Sequence, residues 1–250
     1  MTDTAPAAEA LSRLSNGLRS PLALIAGYAD LLEVRQDAET LSEAPQRIKE
    51  AAADLTRVVD DLLTVYAIDA NVLYLAPEPM QAGTLADEAV ALARARGTIV
   101  SLEADRGSRD TELLADPEYA GSMLSTLLEN ARLRAANAGA TLHVRRISGL
   151  VEFEVAEHGG VVEADEQAVA FDRFSPNRPR TGVTTGLELY KVRRLAELQR
   201  GRVWVVDGPG DEARFGFALR SHTRPEVDSG AAPSTADGSI CCDLVSALDR

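Results

Sequence analysis

Two stripes of apolar residues, spaced by threes and fours, constrain this chain most. Leu11, Leu14, Leu18, Leu22, Ile25, Ala29 and Leu32 form the first; Ile48, Ala52, Leu55, Val59, Leu62 and Tyr66 form the second. A period near 3.6 places each set on one helix face, so two long amphipathic helices are predicted, the first over residues 5–35. The short link between them predicts an antiparallel hairpin. Ser42 is a candidate cap for the second helix, with Pro45 in its first turn, where proline is tolerated. Two helices bury too little surface alone, so the hairpin is expected to pair with a second copy as a four-helix bundle. Pro21 works against the first helix, because it removes a backbone hydrogen bond and bends the axis. By composition alone the helix would break at Ser20-Pro21.

From Asn71 the pattern changes. Residues 84–96, 117–137 and 187–198 read as helices, the second with Met123, Leu124, Leu127, Leu128 and Ala131 on its inner side. Residues 98–102 read as a strand. Residues 142–147 and 151–155 read as a strand pair turned at Ser148-Gly149, and 202–206 with 214–219 as a closing hairpin around Gly208-Pro209-Gly210. Strands interleaved with helices predict a two-layer α/β sandwich. The expected class is therefore α+β: a dimerisation hairpin over 1–70, a sandwich over 71–222 and a tail over 223–250. Rich in Pro, Ser, Gly, Ala and Asp, the tail reads as a flexible linker. Its last residues, 240–248, read as a frayed end, with a docking peptide as the alternative.

The 250 residues suffice for one large domain or two small ones. A formal charge of −13, from 26 basic against 39 acidic residues, argues against nucleic acid or an anionic membrane as partner. No segment approaches the roughly 18–20 apolar residues of a membrane span. The N-terminus lacks the regions of a signal peptide. Both cysteines, Cys241 and Cys242, are adjacent, which gives neither a disulfide framework nor metal-site spacing. A cytoplasmic location is expected, with the two thiols reduced.

The stretch Leu14-Ser15-Asn16-Gly17-Leu18-Arg19-Ser20-Pro21-Leu22, followed by Gly27-Tyr28-Ala29-Asp30-Leu31-Leu32, resembles the phosphoacceptor box of sensor histidine kinases. In that box a histidine and an acid precede Arg-Thr/Ser-Pro-Leu. Here Asn16 holds the histidine position and Gly17 the acidic one. The resemblance implies that the helix continues through Pro21. A carboxamide, however, is not a usable nucleophile at neutral pH, and no neighbouring base activates it.

The second half resembles the catalytic ATP-binding domain of the same family, a fold shared with gyrase and Hsp90-type ATPases. The likeness covers roughly residues 10–221 and rests on several boxes in order. Asp116-Pro117 and then Leu124-Ser125-Thr126-Leu127-Leu128-Glu129-Asn130-Ala131 look like the box whose asparagine holds magnesium, a role that falls to Asn130. Thr126 stands where many members carry a further asparagine. Simple core packing is the alternative reading of this helix. Glu157-His158-Gly159-Gly160-Val161 stands for the box Asp-x-Gly-x-Gly, whose aspartate meets the adenine amine. Glu157 carries the same charge on a longer arm, and Val161 brings a branched side chain where backbone approaches ligand. His158 reads as an exposed turn residue. Ala170-Phe171-Asp172-Arg173-Phe174 looks like the phenylalanine box. Thr184-Thr185-Gly186-Leu187-Glu188-Leu189 stands for Gly-x-Gly-Leu, with Glu188 in place of a glycine where backbone amides would cradle phosphate. A carboxylate there repels phosphate by about 1–4 kcal/mol per close pair.

What this implies is a pseudokinase, compromised at the acceptor and at the nucleotide. Residual ATP or Mg²⁺ binding would use Asn130, Glu157, Gly159 and Gly186, but no cofactor is expected. In the family, the bundle face below the phosphoacceptor docks the receiver domain of a response regulator. Arg19, Ala23 and Ala26 are the equivalent positions here. The expected function is a homodimer that regulates two-component signalling by binding a receiver domain or another histidine kinase. A phosphatase of a phosphorylated receiver, using Ser20, is the enzymatic alternative. A structural or adaptor dimer outside two-component signalling is the third reading.

Overall fold

The structure, a computed structural model, describes residues 5–35, 37–135, 138–158, 160–175, 184–210 and 212–222. Gly159 and the whole 223–250 tail, with Cys241 and Cys242, lie outside the described residues.

Helix α1 (Ala5–Val34) runs unbroken through Pro21, as the family resemblance implies and composition does not. It packs along α2 (Ala38–Asp69). Gly17 and Pro21, one turn apart, are buried on the face toward α2. Helix α2 begins earlier than the Ser42 cap predicts. Asp37 is its N-cap, and its Oδ1 accepts from the Thr40 N–H at 2.9 Å. Pro45 thus lies inside the helix rather than in its first turn. The bond it removes is to the Leu41 carbonyl, on an exposed face where water replaces the missing donor.

The α/β part opens with β1 (Glu78–Gln81), α3 (Ala82–Ala95), β2 (Val100–Ala104) and β3 (Glu112–Ala115), followed by α4 (Pro117–Ala135). Then come β4 (Ala140–Ile147), β5 (Leu150–Glu157), α5 (Ala164–Val169), α6 (Glu188–Leu198), β6 (Arg202–Asp207) and β7 (Ala213–Arg220). The main sheet has the order β2-β4-β5-β7-β6, antiparallel except for the parallel β2–β4 pair. Strands β1 and β3 form a separate antiparallel pair that the sequence pattern does not announce, and α5 is likewise new. Both predicted hairpins are present. Ser148 and Gly149, at φ of 50° and 80°, link Ile147 to its partner Leu150 in the left-handed two-residue turn that matches strand twist. Asp116 starts α4: its Oδ1 accepts from Tyr119 N–H at 3.2 Å, and Pro117 follows where its missing N–H matters least.

One face of the sheet carries the core. Leu142, Val144, Val151, Phe153, Val155, Phe215, Phe217 and Leu219 are buried with Leu85 of α3, Val192 and Leu195 of α6, and Met123, Leu124, Leu127, Leu128 and Ala131 of α4, the inner side predicted for that helix. Phe153 and Phe217 are cross-strand partners whose rings stack at 5.2 Å. The opposite face is a charge lattice: Glu154 accepts from Arg145, Arg214 and the Trp204 indole at 2.5, 3.1 and 3.0 Å.

The hairpin and the sandwich are joined by more than the chain. Ile68 of α2 is part of the sandwich core. Lys191 of α6 donates to Asp61 of α2 at 2.5 Å, with the two side chains 7% and 4% exposed, and also to Ser122 Oγ at 3.1 Å. At the end of α2, Asp69 accepts from Arg173 at 2.9 Å and from the Tyr190 hydroxyl at 3.1 Å. Burial, followed by the bond to Asp69, raises the Tyr190 hydroxyl above its ordinary pKa.

Candidate functional site

Asn16, Ser20 and Ala23 recur along α1 at helical spacing and share its outer face; all three are exposed, as are Arg19 and Ala26. Gly17 points the other way and is buried. The face on which a phosphoacceptor would sit is therefore open, and it carries a carboxamide and a hydroxyl. Because α1 and α2 rise equally from their short turn, Asn16 lies level with about Thr56 of α2.

That level of α2 borders a cavity of about 960 Å³ between the hairpin and the sandwich. Thr56, Arg57 and Asp61 of α2 line one side; Thr126 and Asn130 of α4 and Gly186 and Glu188 line the other. Most cations here are engaged: Arg57 with Asp54 at 3.4 Å, Lys191 with Asp61, and Arg132 with Glu129 through two bonds of 2.7 and 2.8 Å. The hydrogen bond it donates to Glu129 raises the Arg132 guanidinium pKa above its ordinary value.

At the phosphate end, Glu188 does something the sequence reading missed. Its Oε1 accepts from Thr185 N–H at 2.8 Å and Thr185 Oγ1 at 3.2 Å, and its Oε2 accepts from Gly186 N–H at 2.9 Å. Thr185 Oγ1 in turn accepts from Leu187 N–H at 3.3 Å. The spacing Thr-x-x-Glu at 185–188 stands in the sequence, but Leu187 is the N-cap of α6 with no side-chain cap bond, so these contacts tie the loop just ahead of the helix instead of forming a capping box. Gly186 has φ +76°, and its carbonyl accepts from Phe174 N–H at 2.8 Å. Phe171 of the same loop is buried against the core near Phe215, 6.4 Å between centroids.

Glu157, which the resemblance assigns to the adenine amine, is fully buried. Arg134, from the last turn of α4, donates to its Oε1 at 2.5 Å and lies 5.6 Å from the centre of the Phe215 ring. No spacing in the sequence links Arg134 to Glu157; the meeting of α4 with β5 creates the pair. His158 is exposed beyond it, near Thr141 at 3.3 Å and Glu212 at 3.2 Å.

These residues do not fit a magnesium nucleotide well. A hard cation needs oxygen ligands and open coordination, and the amides of Thr185 and Gly186 already hold a carboxylate. The Nδ2 atom of Asn130 is buried with no hydrogen-bond partner among the described residues; as a donor it suits an anionic oxygen, while the Oδ1 of the same carboxamide is the atom that would meet a cation.

A helical hairpin bearing the remnant of an acceptor box, joined to an ATPase-like sandwich with a remodelled pocket, defines a class. Residues 7–71 match the His Kinase A (phospho-acceptor) domain, and residues 115–223 match the histidine kinase-, DNA gyrase B- and HSP90-like ATPase domain. The chain therefore carries both domains of a sensor histidine kinase core. It is 33% identical over 225 residues to the sensor protein DivL of Caulobacter vibrioides, covering 86% of this chain and 28% of DivL. The structure of full-length ShkA in complex with AMPPNP is similar at a TM-score of 0.61 and 27% identity, over 86% of this chain and 46% of ShkA. Histidine kinase ThkA, solved in complex with the response regulator protein TrrA, shares the fold at a TM-score of 0.58 and 19% identity, over 86% of this chain and 61% of ThkA. The chain thus spans just over a quarter of DivL's length.

Proposed function

We propose that this chain is a catalytically inactive histidine-kinase-like protein that homodimerises through α1 and α2 and acts in the cytoplasm. It regulates two-component signalling by binding a receiver domain or another kinase core. The observation that carries this reading is the state of the α1 face. Asn16 replaces the acceptor, while Arg19, Ala23 and Ala26 beside it stay exposed. Chemistry and docking use different residues, so loss of the first leaves the second available. Support comes from ThkA, of shared fold, which was solved with its response regulator, and from Leu22, Leu31, Val59, Leu63 and Tyr66, all exposed on an unpaired hairpin. Among the described residues no helix is long and apolar enough to cross a membrane.

Binding of purified receiver domains and kinase cores from the host, followed by interferometry with and without ATP and Mg²⁺, tests the reading. Nucleotide-independent binding that Ala23→Glu weakens at least tenfold is expected. No binding to any of them removes the proposal.

Ser20 favours a second reading. It is exposed one turn beyond Asn16 on the same face, where its hydroxyl can orient a water toward a phosphoaspartate. Faster decay of a phosphorylated receiver with the wild type, lost in Ser20→Ala, is the required result.

A further inference from the structure

Glu188 is the feature whose chemistry reaches furthest. Two successive amides, of Thr185 and Gly186, point at one place just ahead of an eleven-residue helix, α6. Free N–H groups and the positive end of the helix dipole make such a place attractive to an anion. An anion is in fact seated there, and it is the protein's own. The Glu188 carboxylate uses both oxygens, at 2.8 and 2.9 Å from the two amide nitrogens, and a third bond comes from the Thr185 hydroxyl at 3.2 Å.

We propose that Glu188 is a tethered surrogate for phosphate, the residue that fills the anion cradle of the pocket and excludes phosphate-bearing ligands from it. The proposal rests on the reading of this domain as an inactive ATPase-like module and names the residue responsible. Two effects act together. The carboxylate repels an approaching phosphate at close range. It also competes as an intramolecular ligand, and even a flexible short tether gives an effective concentration in the millimolar range. A free nucleotide must exceed that before it displaces the side chain.

A second contact engages another side chain that the family resemblance assigns to nucleotide. Arg134 holds Glu157 at 2.5 Å, with 13% and 1% of the two side chains exposed, so the carboxylate that the resemblance assigns to an adenine amine is already engaged by a guanidinium. Replacing Arg134 would strand a buried carboxylate, so the test belongs to Glu188.

The experiment titrates ATP with Mg²⁺, and separately inorganic pyrophosphate, into wild type, Glu188→Gln, Glu188→Ala and Glu188→Gly, by calorimetry. Circular dichroism melts check that each variant is folded. The two truncations, Glu188→Ala and Glu188→Gly, are both made so that failure of one to fold leaves the other to decide. Expected are no measurable binding by wild type and at least a tenfold gain in both truncations. The gain should be smaller in Glu188→Gln, which keeps an acceptor but loses the charge. Equal binding by wild type and truncations overturns the proposal and the inactive-module reading together. Folded truncations that still bind neither ligand overturn this proposal alone and leave receiver docking untouched.

Discussion

Single residues here serve purposes that their motif positions do not advertise. Gly186 sits where a phosphate loop is expected, yet its geometry answers to its neighbours. At φ +76°, an added Cβ would lie 3.0 Å from the Phe174 Cα. Gly186→Ala should therefore destabilise the fold by about 1–3 kcal/mol, read from urea denaturation, whatever happens to ligand binding. Restoring the acceptor is expected to do little by itself. Asn16→His should yield no acid-labile phosphohistidine with radiolabelled ATP and Mg²⁺, because the phosphate cradle is still filled; label on the new histidine would contradict that. The presence of an acid at 188 was legible in the sequence, but its partners were not. Whether a carboxylate repels a ligand or accepts from its own amides depends on backbone angles that residue type alone does not set.

Elements were legible to the extent that local chemistry specified them. The β4–β5 and β6–β7 hairpins carry their turns in Ser148-Gly149 and Gly208-Pro209-Gly210, and both stand as predicted. Strands β1 and β3 have four residues each and acquire their pairing from one another, Glu78 with Ala115, 37 positions apart, which no local window contains. Helix α2 starts at Asp37 instead of Ser42 because a charged acceptor there meets the Thr40 N–H. That hydrogen bond holds the Asp37 carboxyl below its ordinary pKa. A depressed carboxylate stabilises the folded form above the unfolded pKa, and the contribution fades as pH falls through the folded one. Asp37→Ala should thus weaken exchange protection at the start of α2 near neutral pH, and the difference from wild type should vanish in acid. A difference that persists at pH 2 would point to another cause.

At the scale of the whole molecule, two surfaces decide assembly. Val59, Leu63 and Tyr66 are 40, 62 and 72% exposed along one face of α2. Leu63→Glu should convert a dimer to a monomer by light scattering; a monomeric wild type would end the dimer reading. The second surface is internal, the Asp61–Lys191 pair. Asp61→Asn leaves a buried ammonium without its counter-charge and should destabilise by about 3–5 kcal/mol, whereas Asp61→Leu with Lys191→Met should lie near wild type. The pair also has a mechanical meaning. Lys191 is one turn from Glu188 on α6, so the clamp that grips the hairpin and the side chain that plugs the cradle ride on the same short axle. The contact that ties α2 to the sandwich and the carboxylate seated on the Thr185 and Gly186 amides are thus carried by one eleven-residue helix.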